Sequence, residues 1–321
     1  MKAKPILIVA GDPDSIFFEI FFKSIKLKRY KSPLILICNI DKLKSEMKRF
    51  NFKKDLRVLN FTKLKKTKLD NKKINLVNIE LKNTSNLNKN LKITQLYIKK
   101  SFDIAFKLIK NRYSYKLLNG PINKKNFLNS KYLGVTEYVA SQFNQKKIGM
   151  LIYNKELSVC PLTTHLPIKL VSKKITKKTI INKISIINNF FIKYFGFKPK
   201  IGVTGLNPHC ESILKFNEDD KIVYSAISLL KKKRFNVEGP FAADTIFIKN
   251  IRKKYDVILG MYHDQVLAPI KTLFEYDAIN ITMGLPFLRV SPDHGPNKKM
   301  IGKNISNPLS MIKALNFLDI R

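Results

Sequence analysis

The chain of 321 residues has few of the features by which common protein classes are recognised. It has no tryptophan and only three cysteines, Cys38, Cys160 and Cys210, which lie far apart and form no CxxC pair. Such sparse cysteines indicate a reducing compartment and argue against a disulfide framework or a thiolate zinc cluster. No apolar run has the length of a membrane span, and the first one is too short for a signal peptide. We therefore expect a cytoplasmic protein with no membrane partner.

Three contiguous functional motifs are also missing. The sequence contains no GxGxxG dinucleotide fingerprint, no GxxxxGK[ST] phosphate loop and no GxSxG nucleophile elbow. The chain therefore has no usual Rossmann fingerprint, no P-loop and no elbow for a nucleophilic serine. Any chemistry must come from residues dispersed along the chain.

Acidic residues are scarce: 23 Asp and Glu stand against 61 Lys and Arg, which gives a net charge of +38. An excess this large is typical of proteins that bind nucleic acids. Here the lysines are scattered among many Asn, Ile and Phe, which share A/T-rich codons, so genome composition is a sufficient explanation. No aromatic and basic residues interleave as in a nucleic-acid module. We expect no nucleic-acid partner, although a basic binding protein that has lost catalysis stays open as an alternative.

Apolar runs and helical patterns alternate along the chain. Buried strands are predicted at residues 6–10, 34–38, 148–153, 157–162, 200–204 and 257–259. Helices are predicted at 41–50, 94–112, 175–194, 219–232 and 306–318, and Leu96, Ile104 and Leu108 mark the apolar positions of the second. This alternation predicts an α/β protein with a largely parallel sheet. The length predicts two domains or one large α/β unit.

Three of the four histidines lie where predicted strands end. His165, His209 and His263 stand among Thr, Asn, Pro, Asp and Gln rather than on an apolar face. Three imidazoles from three strand ends can hold one divalent ion such as Zn²⁺ and leave a coordination position open for catalysis. Ligands this far apart cannot be paired by spacing, however, and three unrelated loop histidines are the simpler interpretation.

The stretch from residue 257 to 295 adds a possible recognition set. Lys271, Asn280 and Arg289 follow its apolar runs. Arginine suits a carboxylate or phosphate through two parallel hydrogen bonds, whereas lysine acts as a point charge. Because lysine is abundant here and arginine is scarce, Arg289 is the more informative of the two cations.

A series of spaced segments resembles the signature segments of the 4-hydroxythreonine-4-phosphate dehydrogenase family. They occur in order from about residue 6 to the C-terminus, and a series is far more specific than any single motif. The segments are GDP (11–13), NGPINK (119–124), TEY (136–138), TTHLP (163–167), GLNPH (205–209), GPFAADT (239–245), MYHDQ (261–265) and NITMGLPFLRVSPDHG (280–295).

The resemblance implies an activity and a fold. The activity is NAD-dependent oxidation of 4-phosphooxy-L-threonine at its C3 hydroxyl, followed by loss of CO₂ to give 3-amino-2-oxopropyl phosphate in vitamin B6 biosynthesis. The implied cofactors are NAD, or NADP, and one divalent metal, with zinc expected and cobalt or magnesium as alternatives. The implied fold resembles the isocitrate and isopropylmalate dehydrogenases: two α/β/α domains with a cleft between them, in a homodimer with the site at the subunit interface. We expect a terminal domain at 1–130 plus 296–321 and a central domain at 131–295 that carries the metal and substrate residues.

The family pattern also implies roles for single residues. His165, His209 and His263 would be the metal ligands, and Asp264 would support the neighbouring imidazole. Apart from the family pattern, we expect His294 near the substrate or the cofactor, or as a structural histidine, and Lys271 is a candidate base if burial or a metal makes its neutral form accessible. The implied substrate contacts are Thr136, Lys271, Asn280 and Arg289.

Three departures from the family pattern bear on the substrate. Val135 stands where the family has a histidine before its Thr-Glu pair, which removes one polar contact. The segment DSIFFE brings in Phe17 and Phe18, and CESILKFNEDD (210–220) replaces a glycine-rich loop; both are expected to reshape the mouth of the site. A related dehydrogenase of 4-phosphorylated threonate or erythronate is therefore an alternative.

Overall fold

The computed structural model describes residues 3–60, 64, 67–81, 91–123, 127, 132, 134–211, 216–293 and 295–321. Its strands are β1 (Ile6–Val9), β2 (Leu34–Cys38), β3 (Leu56–Val58), β4 (Ile74–Asn78), β5 (Lys116–Asn119), β6 (Gly149–Tyr153), β7 (Ser158–Pro161), β8 (Ile201–Thr204), β9 (Val237–Phe241), β10 (Val257–Gly260), β11 (Ile279–Met283) and β12 (Leu288–Pro292). Its α-helices are α1 (Phe17–Leu27), α2 (Ile40–Arg49), α3 (Leu91–Lys110), α4 (Val135–Ser141), α5 (Lys177–Phe195), α6 (Ser225–Lys232), α7 (Lys249–Arg252), α8 (His263–Phe274) and α9 (Leu309–Asp319). A π-helical segment, Asp219–Tyr224, leads directly into α6.

Strands and helices alternate along the chain, which confirms the predicted α/β class. The chain divides into two compact units. The terminal unit comprises residues 1–142 and 286–321, and the central unit comprises residues 143–285.

The terminal unit is built on parallel strands in the order β3-β4-β2-β1-β5-β12. Strands β1, β2 and β5 are buried along their whole length, as expected of parallel strands covered on both faces. Helix α3 packs on β1 and β2, and α9 packs on β1, β5 and β12. The continuous apolar runs in the sequence are therefore the central strands of this unit.

Phenylalanines of α1 form part of the terminal core. Phe17 and Phe18 are 0% and 2% exposed, and the Phe17 ring stacks on Phe21 with centroids 5.7 Å apart. A Cβ atom at Gly120 would lie 2.4 Å from Phe17 Cδ2, so the missing side chain makes room for the ring. The expectation that these two rings reshape the mouth of a site is wrong, because both belong to the core.

The strand order in the central unit is β11-β6-β7-β10-β8-β9. Strand β6 is antiparallel to both β11 and β7, and the remaining pairs are parallel. A core that includes Val159, Ile258, Val266 and Ile270 joins β7 and β10 to α8. This packing fixes the segments that follow β7 and β10.

The long helices are amphipathic. In α3 the prediction that Leu96 lies on the apolar face is wrong, because its side chain is 54% exposed. The residues that α3 buries include Tyr97, Phe102 and Phe106. Helix α5 begins at a capping box of Thr176 and Thr179 and ends at Gly196, whose φ is 81°.

No helix among the described residues combines the length and apolarity needed to cross a bilayer.

Candidate functional site

Three histidines follow three neighbouring parallel strands of the central unit. Strand β10 lies between β7 and β8 and is parallel to both. His165 follows β7, His263 follows β10 and His209 follows β8. Because the carboxyl ends of parallel strands meet at one edge of a sheet, all three histidines belong to the same edge.

His165 and His263 lie close together. Their ring centroids are 6.0 Å apart, and both side chains line a cavity of about 320 Å³ with Thr163, Thr164 and Tyr262. His263 Nδ1 is 2.6 Å from Asp264 Oδ1. A carboxylate partner at Nδ1 holds the ring and leaves Nε2 for a ligand. Two of the three predicted imidazoles therefore face one cavity.

His209 lies on a short 3₁₀ turn, Pro208–Cys210, with a left-handed φ of 55°. Its side chain is 72% exposed, and its Nδ1 lies 4.0 Å from Asp244 Oδ2. Across the described ranges, no three His, Cys, Asp or Glu side chains are already grouped to hold a metal ion. The donor set nevertheless fits a divalent ion, because imidazoles beside carboxylates on one sheet edge are the ligand types that Zn²⁺ and Co²⁺ prefer.

The loop that bears His209 is held by a residue that the motif analysis did not select. Asp219 is fully buried and accepts hydrogen bonds from the backbone amides of Leu206 at 2.6 Å and Asn207 at 3.0 Å. It also accepts one from Asn207 Nδ2 at 3.1 Å. Asp219 lies in the segment that departs from the family pattern. The sequence signal that could have identified Asp219 is the acidic run at 218–220, because acidic residues are scarce in this chain.

Lys271 and Asn280 lie in the central unit with the histidines. Lys271 is on α8, the helix that begins at His263, and Asn280 is on β11. The Asn280 Oδ1 atom is buried, and no hydrogen-bond partner for it exists within the described part of the chain. A buried acceptor of this kind suits a donor from a ligand, such as a hydroxyl or an ammonium group.

Arg289 and Thr136 meet in the terminal unit. Arg289 is 3% exposed, and it donates from Nη1 to Thr136 Oγ1 at 3.0 Å and from Nε to Asn119 Oδ1 at 2.9 Å. Burial lowers the pKa of the Arg289 guanidinium to about 10, while the charge of Glu137 acts to raise it. The group therefore stays cationic at neutral pH. Asn119 ends β5 within the NGPINK segment, and no sequence pattern indicates that it pairs with Arg289.

Asp12 lies in the terminal unit, where the loops after β1 and β5 meet. Gly11 has a φ of 84°, and a Cβ there would lie 2.4 Å from the Pro121 carbonyl oxygen. The Asp12 amide donates to the same carbonyl at 2.9 Å. Burial raises the pKa of the Asp12 carboxyl.

His294, the expected cofactor residue, lies outside the described residues.

Two relatives of this chain with high coverage share one name. A model of the family described as pyridoxal phosphate biosynthetic protein PdxA matches residues 30–318. A 4-hydroxythreonine-4-phosphate dehydrogenase of Wigglesworthia glossinidia brevipalpis is 34% identical over 326 residues, covering 98% of this chain and 96% of that protein. Another, from Sulfurihydrogenibium sp., is 37% identical over 246 residues, covering 75% of this chain and 74% of that protein.

A solved structure resembles the whole fold. The 4-hydroxythreonine-4-phosphate dehydrogenase from Klebsiella pneumoniae superimposes with a TM-score of 0.82 at 26% identity, covering 98% of each chain. These relatives are named as dehydrogenases, a class of oxidoreductase. The chain belongs to the PdxA family of pyridoxal phosphate biosynthetic proteins.

Proposed function

We propose that this chain is a 4-hydroxythreonine-4-phosphate dehydrogenase that uses NAD and one divalent metal. It oxidises 4-phosphooxy-L-threonine at the C3 hydroxyl, and the resulting 3-keto acid loses CO₂ to give 3-amino-2-oxopropyl phosphate. The observation that carries the proposal is the placement of His165, His209 and His263 after three neighbouring parallel strands of one sheet.

The three imidazoles are the proposed metal ligands. A divalent ion, when bound, supplies a Lewis acid that favours ionisation of the alcohol and polarises the ketone. Asp264 holds the His263 ring through the 2.6 Å contact with Nδ1. Zinc is our first choice of metal, with cobalt or magnesium as alternatives.

The substrate residues act by charge and hydrogen bonding. Arg289, already desolvated and braced by Thr136 and Asn119, binds the phosphate or the carboxylate without a further reorganisation cost. Asn280 accepts a hydrogen bond from the substrate through its buried Oδ1. Lys271 lies on α8, the helix that begins at His263, and is our candidate cationic substrate contact and proton acceptor.

A coupled assay tests the proposal directly. The purified chain, with Zn²⁺ and NAD, is offered 4-phosphooxy-L-threonine, and NADH absorbance and CO₂ release are followed. We expect both products in equal amounts. The His263→Ala variant is the matched control and should produce neither. Absence of NADH from the native chain with Zn²⁺, Co²⁺ or Mg²⁺, and with either NAD or NADP, would refute the proposal.

A second candidate substrate is favoured by one residue. Val135, where the family pattern has a histidine, is a buried apolar side chain at the start of α4. The loss of a polar contact there permits a substrate without the amino group, such as 4-phospho-threonate or 4-phospho-erythronate. NADH from these acids but not from 4-phosphooxy-L-threonine would select this alternative.

The proposal includes a homodimer in the cytoplasm, in keeping with a biosynthetic enzyme of this family. Light scattering on the purified chain measures its mass in solution. A mass of one chain at assay concentrations would contradict the dimer.

A further inference from the structure

The backbone of Met261 joins two of the histidine loops. Its carbonyl oxygen accepts from Thr163 Oγ1 at 2.8 Å and from the Thr163 amide at 3.3 Å. Its amide donates to Gln265 Oε1 at 2.7 Å. Thr163 precedes His165 by two positions, and Met261 precedes His263 by two. The loops after β7 and β10 are therefore fastened to each other next to their imidazoles.

Gln265 extends the same network to the third loop. Its Oε1 also accepts from Thr204 Oγ1 at 2.8 Å, and its Nε2 donates to the Gly205 carbonyl at 2.7 Å. Thr204 ends β8, and Gly205 begins the loop that carries His209. One side chain thus links the ends of β8 and β10.

The network is buried. Thr204 is 0% exposed and Gln265 is 9% exposed. Hydrogen bonds in a desolvated network are stronger than in water, and losing one partner leaves the others unsatisfied. We therefore expect the loss of one of these hydrogen bonds to displace the backbone segments that carry the histidines.

We propose that Thr163, Thr204 and Gln265 are positioning residues that set the spacing of the three histidine loops for a divalent ion. We call this set the loop brace. The inference rests on the proposed function, since it concerns the affinity of the same histidines for metal. None of the three side chains needs to touch the metal; each holds the backbone close to an imidazole.

The test removes hydroxyl or amide groups without changing side-chain volume. The disrupting variants are Thr163→Val, Thr204→Val and Gln265→Met. Thr163→Ser and Thr204→Ser are the conservative variants that retain the hydroxyl. Thr272→Val is the matched control, because Thr272 lies on α8 with Gln265 and its hydroxyl, among the described residues, donates only to the Ala268 carbonyl, at 3.0 Å. Zn²⁺ affinity is measured by calorimetric titration, ligand geometry by the visible spectrum of bound Co²⁺, and Tm by thermal unfolding.

We expect each of the three disrupting variants to weaken Zn²⁺ binding about tenfold and to change the Co²⁺ spectrum, as loss of outer supporting contacts does at metal sites. The serine variants and Thr272→Val should bind as the native chain does. A lower Tm with native Zn²⁺ affinity and a native Co²⁺ spectrum would overturn the proposal, because it would show a role in stability alone. If Gln265→Met does not fold, the valine and serine pairs at Thr163 and Thr204 decide the question.

The same titration separates this inference from the proposed function. If the native chain binds Zn²⁺ no better than His263→Ala, the proposed metal site fails, and the loop brace fails with it. If the native chain binds one Zn²⁺ and the brace variants bind it equally well, only the brace is refuted.

Discussion

Arg289 and Thr136 are joined by a hydrogen bond of 3.0 Å between Nη1 and Oγ1. The bond connects the start of β12 to the first turn of α4, and Asn119 holds the guanidinium from its Nε side at 2.9 Å. An arginine held on two sides is fixed before any ligand arrives, so an anion bound to it orders little else. This arrangement makes Arg289 the best defined of the proposed substrate residues.

Replacing Arg289 by lysine should therefore impair catalysis more than folding. A lysine ammonium cannot reproduce the planar fork that contacts both Thr136 and Asn119. We expect kcat/KM for 4-phosphooxy-L-threonine to fall about 100-fold, the value of one or two charged hydrogen bonds. Arg252→Lys is the control, since within the described residues the side chain of Arg252 donates only to the Phe247 carbonyl, at 2.9 Å, in the central unit. Equal kcat/KM values for the two variants would contradict the assignment.

The metal should depend on three of the four histidines. His165→Ala, His209→Ala and His263→Ala are each expected to lose the bound ion, because removing one of three ligands leaves too few donors. His294→Ala should keep one ion per chain. Elemental analysis of the purified variants measures the metal, and chelator treatment of the native chain should abolish NADH formation. Retention of a full equivalent of metal in any of the first three variants would show that the residue is not a ligand.

Two asparagines on strands should respond differently to replacement by valine: Asn75 is buried, whereas Asn280 is half-buried with a buried Oδ1 atom. Asn75 on β4 is satisfied: its Nδ2 donates to the Leu34 and Asp70 carbonyls at 3.0 and 2.7 Å. Asn75→Val should therefore lower the free energy of unfolding by about 2 kcal/mol. Asn280→Val removes an acceptor that lacks a partner among the described residues, and should leave that free energy unchanged or raise it by about 1 kcal/mol while KM rises. Urea unfolding and steady-state kinetics measure both quantities, and a destabilised Asn280→Val with native KM would contradict a role in substrate binding.

Asp219 and Asp220 are adjacent acidic residues of which the first is buried and the second exposed, so their alanine variants form a matched pair. Asp219→Ala deprives the Leu206 and Asn207 amides of their acceptor. We expect the free energy of unfolding to fall by about 2–3 kcal/mol, the cost of buried donors left unsatisfied. Asp220→Ala removes an exposed carboxylate and should change it by less than about 0.5 kcal/mol. Equal effects in urea unfolding would show that Asp219 does not hold this loop.

Stability should depend on pH through Asp12. Burial raises the pKa of this carboxyl above its ordinary value of 3.8, so the folded chain binds the proton more tightly than the unfolded chain. The contribution of Asp12 to the free energy of unfolding is therefore fully present below pH 3.8. It is lost as the pH rises through the folded-state pKa of the carboxyl. Asp12→Asn cannot ionise, so its free energy of unfolding relative to the native chain should increase between about pH 4 and pH 7. Urea unfolding over this range measures the difference, and a difference that stays constant with pH would contradict the effect.

Much of the secondary structure was predictable because hydrophobic periodicity is local. The apolar runs at 34–38 and 200–204 became β2 and β8, since a parallel strand covered on both faces needs apolar residues throughout. The helical spacing of the apolar residues alone did not decide which face of α3 is buried. Leu96 fits the helical pattern but is 54% exposed, because the aromatic residues Phe102 and Phe106 fill the core instead.

The sequence by itself determined the α/β class, the family segments and the position of three histidines after strands. Only the tertiary structure decided which of these segments are neighbours. Strand order put β10 between β7 and β8, and so put His165 near His263. Arg289 meets Asn119 across 170 positions of the chain, and Gln265 reaches Gly205 across 60. Apolar patterns indicate which segments of the chain are buried, but the partner of a buried polar group depends on which strands lie side by side.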